Sequence, residues 1–229
     1  MNKHLYTKLA CLTLLAVQTP SFADALYLAG SEFSSHSDYA FLGTIGTIGA
    51  PTLQNGFAYR LWADHVGYQY KSGQTTHHAS ANGIEGGLGS LFAIGNIQAS
   101  IFLSATVRDT HISPADSSNS AEGTKSSAKI SGDFSTPAVQ TVISNFSFSY
   151  SPANDAYWAR LRLAKDMGSY WLGPEFSTSG DTTYSVKQFG LSISKIRISN
   201  IELGVKSGIR KEKDISAKPY IGVELSSLF

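Results

Sequence analysis

From residue 97 to residue 108 the chain alternates without a break. Ile97, Ala99, Ile101, Leu103, Ala105 and Val107 fall on one side, and Gln98, Ser100, Phe102, Ser104, Thr106 and Arg108 on the other. Period two over about a dozen residues is a strand with one apolar face, and Gly95-Asn96 ahead of it supplies a turn. The same pattern returns where Phe146, Phe148 and Tyr150 alternate with serines, then at Ala159, Leu161 and Leu163, at Leu172, Pro174 and Phe176, at Phe189, Leu191 and Ile193, and at Ile201, Leu203 and Val205. The two long uncharged stretches, between Asp38 and Arg60 and between Glu85 and Arg108, look at first like spanning helices. The second holds Gly86, Gly87, Gly89 and Gly95 with Asn96 and Gln98, which is poor helix material. Nothing after residue 24 gives a helix of three turns.

The pattern predicts twelve strands, near 25–32, 37–49, 57–71, 78–92, 96–109, 125–135, 141–151, 156–166, 169–178, 183–195, 200–211 and 217–229. About 17 residues per strand and connection suits membrane-spanning strands of roughly 9–11 residues with short links. The polar face decides between a soluble sandwich and a barrel. It carries Ser, Thr and Gly with single charges at intervals, which suits a narrow lumen better than a solvated surface. Tyr39, Phe57, Tyr68, Tyr70, Tyr157, Tyr170, Tyr184 and Tyr220 near strand ends resemble the aromatic girdles of such barrels. The last strand alternates through Ile221, Val223 and Leu225 to a terminal Phe229, with Ser227 breaking the row, and this ending resembles the assembly signal of bacterial outer-membrane barrels. The expected fold is therefore an all-β, antiparallel, closed transmembrane barrel, because an open sheet edge is not tolerated in lipid. Even parity puts both termini in the periplasm and the longest connection, 110–124, outside. Ten strands is the alternative if two short segments are loops.

Residues 1–23 read differently. Lys3, His4 and Lys8 precede an apolar run from Leu9 to Val17, and Ser21-Phe22-Ala23 closes it. These are the parts of a secretory signal peptide, and the run is too short for a membrane anchor, which needs roughly 20 apolar residues. The lone Cys11 lies too early in that run for a lipoprotein. Cleavage after Ala23 is expected, leaving 24–229 as one barrel domain exported to the cell outer membrane. The chain of 229 residues then loses its only Cys, and its net charge moves from +1 to −1. Charged residues make up only 15% of it, and the even balance gives nucleic acid no basic surface.

Candidate chemistry is sparse. His36, His65, His77, His78 and His111 show no spacing with a nucleophile or carboxylate that marks a triad, and His77-His78 point to opposite faces of a strand. Asp116, Asn119, Glu122 and Asp133 lack the order of a calcium loop. No metal, cofactor or catalytic residue is assigned, and the protein is expected not to be an enzyme. The charges are more informative. If the alternation holds, Arg60, Arg108, Arg160, Arg162 and Lys206 face inward, as do Glu85, Glu175, Glu202 and Glu224. Two readings stand: a paired network that plugs a narrow barrel, since buried charges need partners, or an electrostatic lining for a polar or sugar-like solute.

Five stretches, taken in order, resemble the BcsS family of cellulose biosynthesis proteins. They are Gly56-Phe57-Ala58-Tyr59-Arg60-Leu61-Trp62, Ser113-Pro114-Ala115-Asp116 leading to Gly123, Ile130-Ser131-Gly132-Asp133-Phe134-Ser135-Thr136-Pro137, Tyr157-Trp158-Ala159-Arg160-Leu161-Arg162-Leu163, and Leu172-Gly173-Pro174-Glu175. Together they cover 43–229. The resemblance implies an outer-membrane accessory of cellulose biosynthesis, export or surface assembly, and hence of exopolysaccharide and biofilm. Its expected partners are outer-membrane lipid, cellulose and other components of the cellulose secretion machinery. It carries no site residues with it. The rivals are a general or oligosaccharide-selective outer-membrane channel and a rim-located enzyme that modifies lipid or glycan.

Overall fold

The structure is a computed structural model that describes residues 24–50, 52–53, 55–116, 119–136, 141–213 and 215–229. The signal peptide expected at 1–23 lies outside these residues. Twelve strands form: β1 (Ala25–Ser34), β2 (Ser37–Thr47), β3 (Gly56–Ser72), β4 (Thr75–Ile94), β5 (Ile97–Ser113), β6 (Gly123–Ser135), β7 (Val142–Ser151), β8 (Ala156–Asp166), β9 (Trp171–Gly180), β10 (Ser185–Ile198), β11 (Ile201–Glu212) and β12 (Lys218–Leu228). Each pairs antiparallel with its sequence neighbours, and β1 pairs with β12 to close the barrel. At the seam Ala25 N–H donates to the carbonyl of Phe229 at 2.7 Å and Phe229 N–H donates back at 3.1 Å. Every strand edge is thereby used along the shared height, which is the condition for crossing lipid.

The alternation sorts the faces as expected. Leu103 is 67% exposed, while its neighbours Phe102 and Ser104 are 0% and 4% exposed. The outward row continues through Leu42, Leu61, Ile84, Leu88, Ile101, Leu161, Phe176, Phe189, Leu191, Ile209 and Ile221, all exposed, and forms the apolar band. Phe134, Phe146 and Phe148 stack on one another across β6 and β7 on that same outward side.

Both termini lie at one end, periplasmic in even-stranded barrels of this kind; this end is the inner mouth and the opposite end the outer mouth. The outer connection expected at 110–124 is shorter, because β5 continues to Ser113 and β6 begins at Gly123. Height at the outer mouth comes from strands instead of loops: β3, β4 and β5 have 17, 20 and 17 residues, against 10 in β1, β7 and β9. The β4–β5 turn uses Gly95 at φ 57°, a left-handed geometry that favours glycine. Inside, Gly43 leaves room for a ring, since a Cβ there would sit 2.1 Å from Trp62 Cε3.

The aromatic expectation needs correction. Phe57 and Tyr157 are exposed on the outside, but Tyr68, Tyr70, Tyr184 and Tyr220 are buried inside the barrel, and Tyr39 stacks inside on Phe41. Position near a strand end fixes height, whereas parity fixes the face.

Candidate functional site

Side chains cluster inside the barrel at three heights. At the outer mouth Tyr68 and Tyr70 of β3, Ala79 of β4, Ile112 of β5 and Val186 of β10 pack with Tyr184 from the β9–β10 connection. The Tyr68 and Tyr184 rings, from opposite walls, are 4.5 Å apart. Pro114 and Asp116, from the connection after β5, lie against this cluster. Tyr70 donates to Asp116 at 3.0 Å, and His77 stacks on Tyr70 with its Nδ1 2.7 Å from the Pro114 carbonyl. Asp116 and His77, weighed above for metal or catalysis, thus hold the loop over the mouth. Burial pushes the Tyr184 phenol well above its ordinary pKa, so the hydroxyl stays protonated.

Below lies a column of eight charges on β1, β8, β9, β11 and β12. Arg162 lies 3.0 Å from Glu224 and bonds Glu175 through Nε at 2.7 Å and through Nη2. Arg160 lies 2.7 Å from Glu224. Lys206 is 2.8 Å from Glu32, 3.4 Å from Glu175 and 3.6 Å from Glu224. Arg210 reaches Glu32 at 2.9 Å and Glu212 at 2.7 Å, and donates to the Tyr184 hydroxyl at 2.9 Å. Four cations meet four carboxylates. Gln188 extends the column by donating to Glu32 and accepting from Ser177.

On the opposite wall a smaller group centres on Glu85 of β4, whose side chain is 2% exposed. Arg60 Nε is 3.0 Å from it, Lys129 Nζ 2.7 Å, and Ser104 donates to it at 2.9 Å. Arg60 also lies 4.2 Å over the Trp62 ring, which stacks at 4.7 Å on Phe41. Next to it Arg108 and Asp64 form a pair at 2.5 Å. Toward the inner mouth Ile45, Ala58 and Phe102 pack with Leu28, Leu91 and Leu53, the last from the 48–55 connection.

Of the residues singled out from sequence, Arg160, Arg162, Lys206, Glu175 and Glu224 meet in the column, Arg60 and Glu85 meet across β3 and β4, and Arg108 joins Asp64. Glu202 does not join them: it sits at the inner end of β11, 3.2 Å from the exposed Arg197. Glu32, Asp64, Lys129, Arg210 and Glu212 were missed. Parity alone would have found most of them, since Asp64 shares the face of Arg60, and Arg210 and Glu212 share that of Lys206.

A model of the family described as cellulose biosynthesis protein BcsS matches residues 26–229. The chain belongs to this family. The BcsS match runs from Leu26, the second residue of β1, to the terminal Phe229, so the lumen charges lie within it. No curated protein matches the chain. Among solved structures, the KdgM porin in complex with disordered oligogalacturonate is 11% identical with a TM-score of 0.54, covering 89% of this chain and 99% of its own. The β domain of the Bordetella autotransporter BrkA is 8% identical with a TM-score of 0.54, covering 91% and 100%. LpxR from Salmonella typhimurium is 12% identical with a TM-score of 0.50, covering 90% and 100%. At these identities the likeness concerns the fold alone: an outer-membrane β-barrel.

Proposed function

We propose that this BcsS-family barrel assists export or surface assembly of cellulose from the outer membrane as a closed body that neither conducts the polymer nor modifies it. The observation that carries the reading is the packing of side chains inside the barrel at three heights, with Tyr68 against Tyr184 across the outer mouth, eight mutually paired charges beneath, and an apolar cluster toward the inner mouth. A conducting pore lined for sugars keeps its polar groups facing water; here they face each other. The rival is an oligosaccharide-selective channel, for which the fold shared with an oligogalacturonate-bound porin is the only support.

Two measurements separate them. Deleting the gene should alter dye-binding cellulose or pellicle while synthase activity in isolated membranes persists; unchanged exopolysaccharide overturns the proposal. The purified barrel should be silent in planar bilayers. Steady pores whose selectivity changes with Arg160→Ala or Glu175→Ala would establish the channel instead.

A further inference from the structure

Four charges at the inner mouth stand apart from the paired groups deeper in the lumen: Asp166, Lys195, Arg197 and Glu202. Asp166 ends β8 and is in register with Trp171, the first residue of β9. Counted from the lumen pair Arg162 and Glu175, parity turns both to the inside, while Lys165 takes the opposite side. On β10 the register with β11 jumps between Ile193 and Ile196, and Lys195 takes φ 58°. Bulges of this kind re-aim a side chain, and the Lys195 ammonium lies 3.9 Å over the Trp171 ring. Beyond the bulge Arg197 is in register with Glu202, which shares the face of Lys206, and the two side chains meet at 3.2 Å. Asp166, Tyr170, Trp171, Lys195 and Arg197 line a groove of about 820 Å³ here, within the roughly 300–1,000 Å³ of small-ligand sites.

We propose that this groove binds a neutral pyranose chain, a β-linked glucan, from the periplasmic side. Charge balance selects the ligand. Two cations and two carboxylates cancel, so an anion gains from Lys195 and Arg197 what it loses to Asp166 and Glu202. Hydroxyl groups suit all four, because each can donate to a carboxylate and accept from an ammonium or guanidinium. The rings serve the rest of such a ligand: a pyranose has an apolar face of C–H groups edged by hydroxyls, and Tyr170 and Trp171 offer amphipathic walls for it. The assignment rests on the role in cellulose production and gives that role a contact: the closed barrel holds the chain at its inner mouth without passing it.

The test titrates the full barrel in detergent micelles with cellotetraose, followed by ligand-observed NMR. Wild type should bind cellotetraose, and should bind tetragalacturonate, equally long but anionic, more weakly. Trp171→Leu should lower the affinity for cellotetraose roughly tenfold, the scale of one lost aromatic wall, and Tyr170→Ser should lower it too. Tyr157→Ser, on the outside of the barrel, should change nothing. Faster gel migration of unboiled samples verifies folding, and if one groove variant fails to fold the other carries the test. No binding by wild type, unchanged affinity in the folded groove variants, or preference for tetragalacturonate would each overturn the assignment. The role in cellulose production fails separately. Altered cellulose in the deletion strain without cellotetraose binding removes the site and leaves the role, whereas binding with unaltered cellulose removes the role and leaves the site.

Discussion

The two charged groups inside the barrel are built from the same residue types at similar burial, yet they are wired differently. In the column on β8–β12 and β1, four carboxylates face four cations, and most members have two or three partners of opposite sign. At Glu85 one carboxylate serves two cations, and among the described residues no other carboxylate is in ion-pair contact with Arg60 or Lys129. Desolvation makes any unpaired buried charge expensive. The column spreads that risk over many contacts, whereas the Glu85 group concentrates it in a single residue. Occlusion of the lumen therefore rests on a redundant support at one wall and a brittle one at the other.

The sharpest way to break this contrast is Glu85→Gln. It keeps the shape and the Ser104 contact but leaves two cations facing each other without a counter-charge. A cost of about 3–5 kcal/mol is expected, the range for removing one partner of a buried pair. Urea unfolding in lipid vesicles, followed by the fluorescence of Trp62, Trp158 and Trp171, measures it. Replacing Arg60, Glu85 and Lys129 together by Met should recover most of that loss, because buried ion groups exchanged for apolar residues of similar volume are often neutral. If the triple variant is no better than Glu85→Gln, the cost lies in packing and the contrast dissolves.

Glu175→Gln is the matched experiment in the column. Glu175 is as buried as Glu85, with side chains 1% and 2% exposed. Its loss leaves Arg162 on Glu224, and Lys206 on Glu32 and Glu224. The expected cost is about 1–2 kcal/mol, the scale of a charged hydrogen bond that is partly replaced. Equal costs for the two Glu→Gln variants would show that redundancy confers nothing.

The column was more legible in the sequence than the Glu85 group, for a physical reason. The stretches of β8, β9, β11 and β12 around these charges alternate strictly, so parity placed Arg160, Arg162, Glu175, Lys206 and Glu224 on one face without knowledge of partners. β2–β4 are rich in glycine and aromatics on the inner face, with Gly43 beneath Trp62, and the apolar-versus-polar signal blurs there. Asp64 was passed over there although it shares the parity of Arg60. What alternation cannot express is contact across the lumen. Tyr68 on β3 and Tyr184 in the β9–β10 connection are far apart in the chain and sit on walls that never pair, so their meeting depends on barrel diameter and closure. The same limit hid Glu32, which lies beside Lys206 and Arg210 only once β1 closes on β12.

The smallest expected effect tests how far redundancy extends toward the outer mouth. Tyr184→Phe removes one acceptor from Arg210, which keeps Glu32 at 2.9 Å and Glu212 at 2.7 Å, and it leaves the ring stacked on Tyr68. A loss of about 0.5–1 kcal/mol is expected, that of one ordinary hydrogen bond, and the barrel should remain silent in planar bilayers. Because the phenol is buried and already protonated, the difference between the two proteins should not vary between about pH 6 and about pH 9, a window that lies wholly below the phenol's ordinary value of about 10. A loss as large as that of Glu85→Gln would mean that Arg210 depends on the hydroxyl and that the column is redundant only in its lower half. Conductance without loss of stability would mean that the hydroxyl bond, and not the stacked rings, keeps the outer mouth shut.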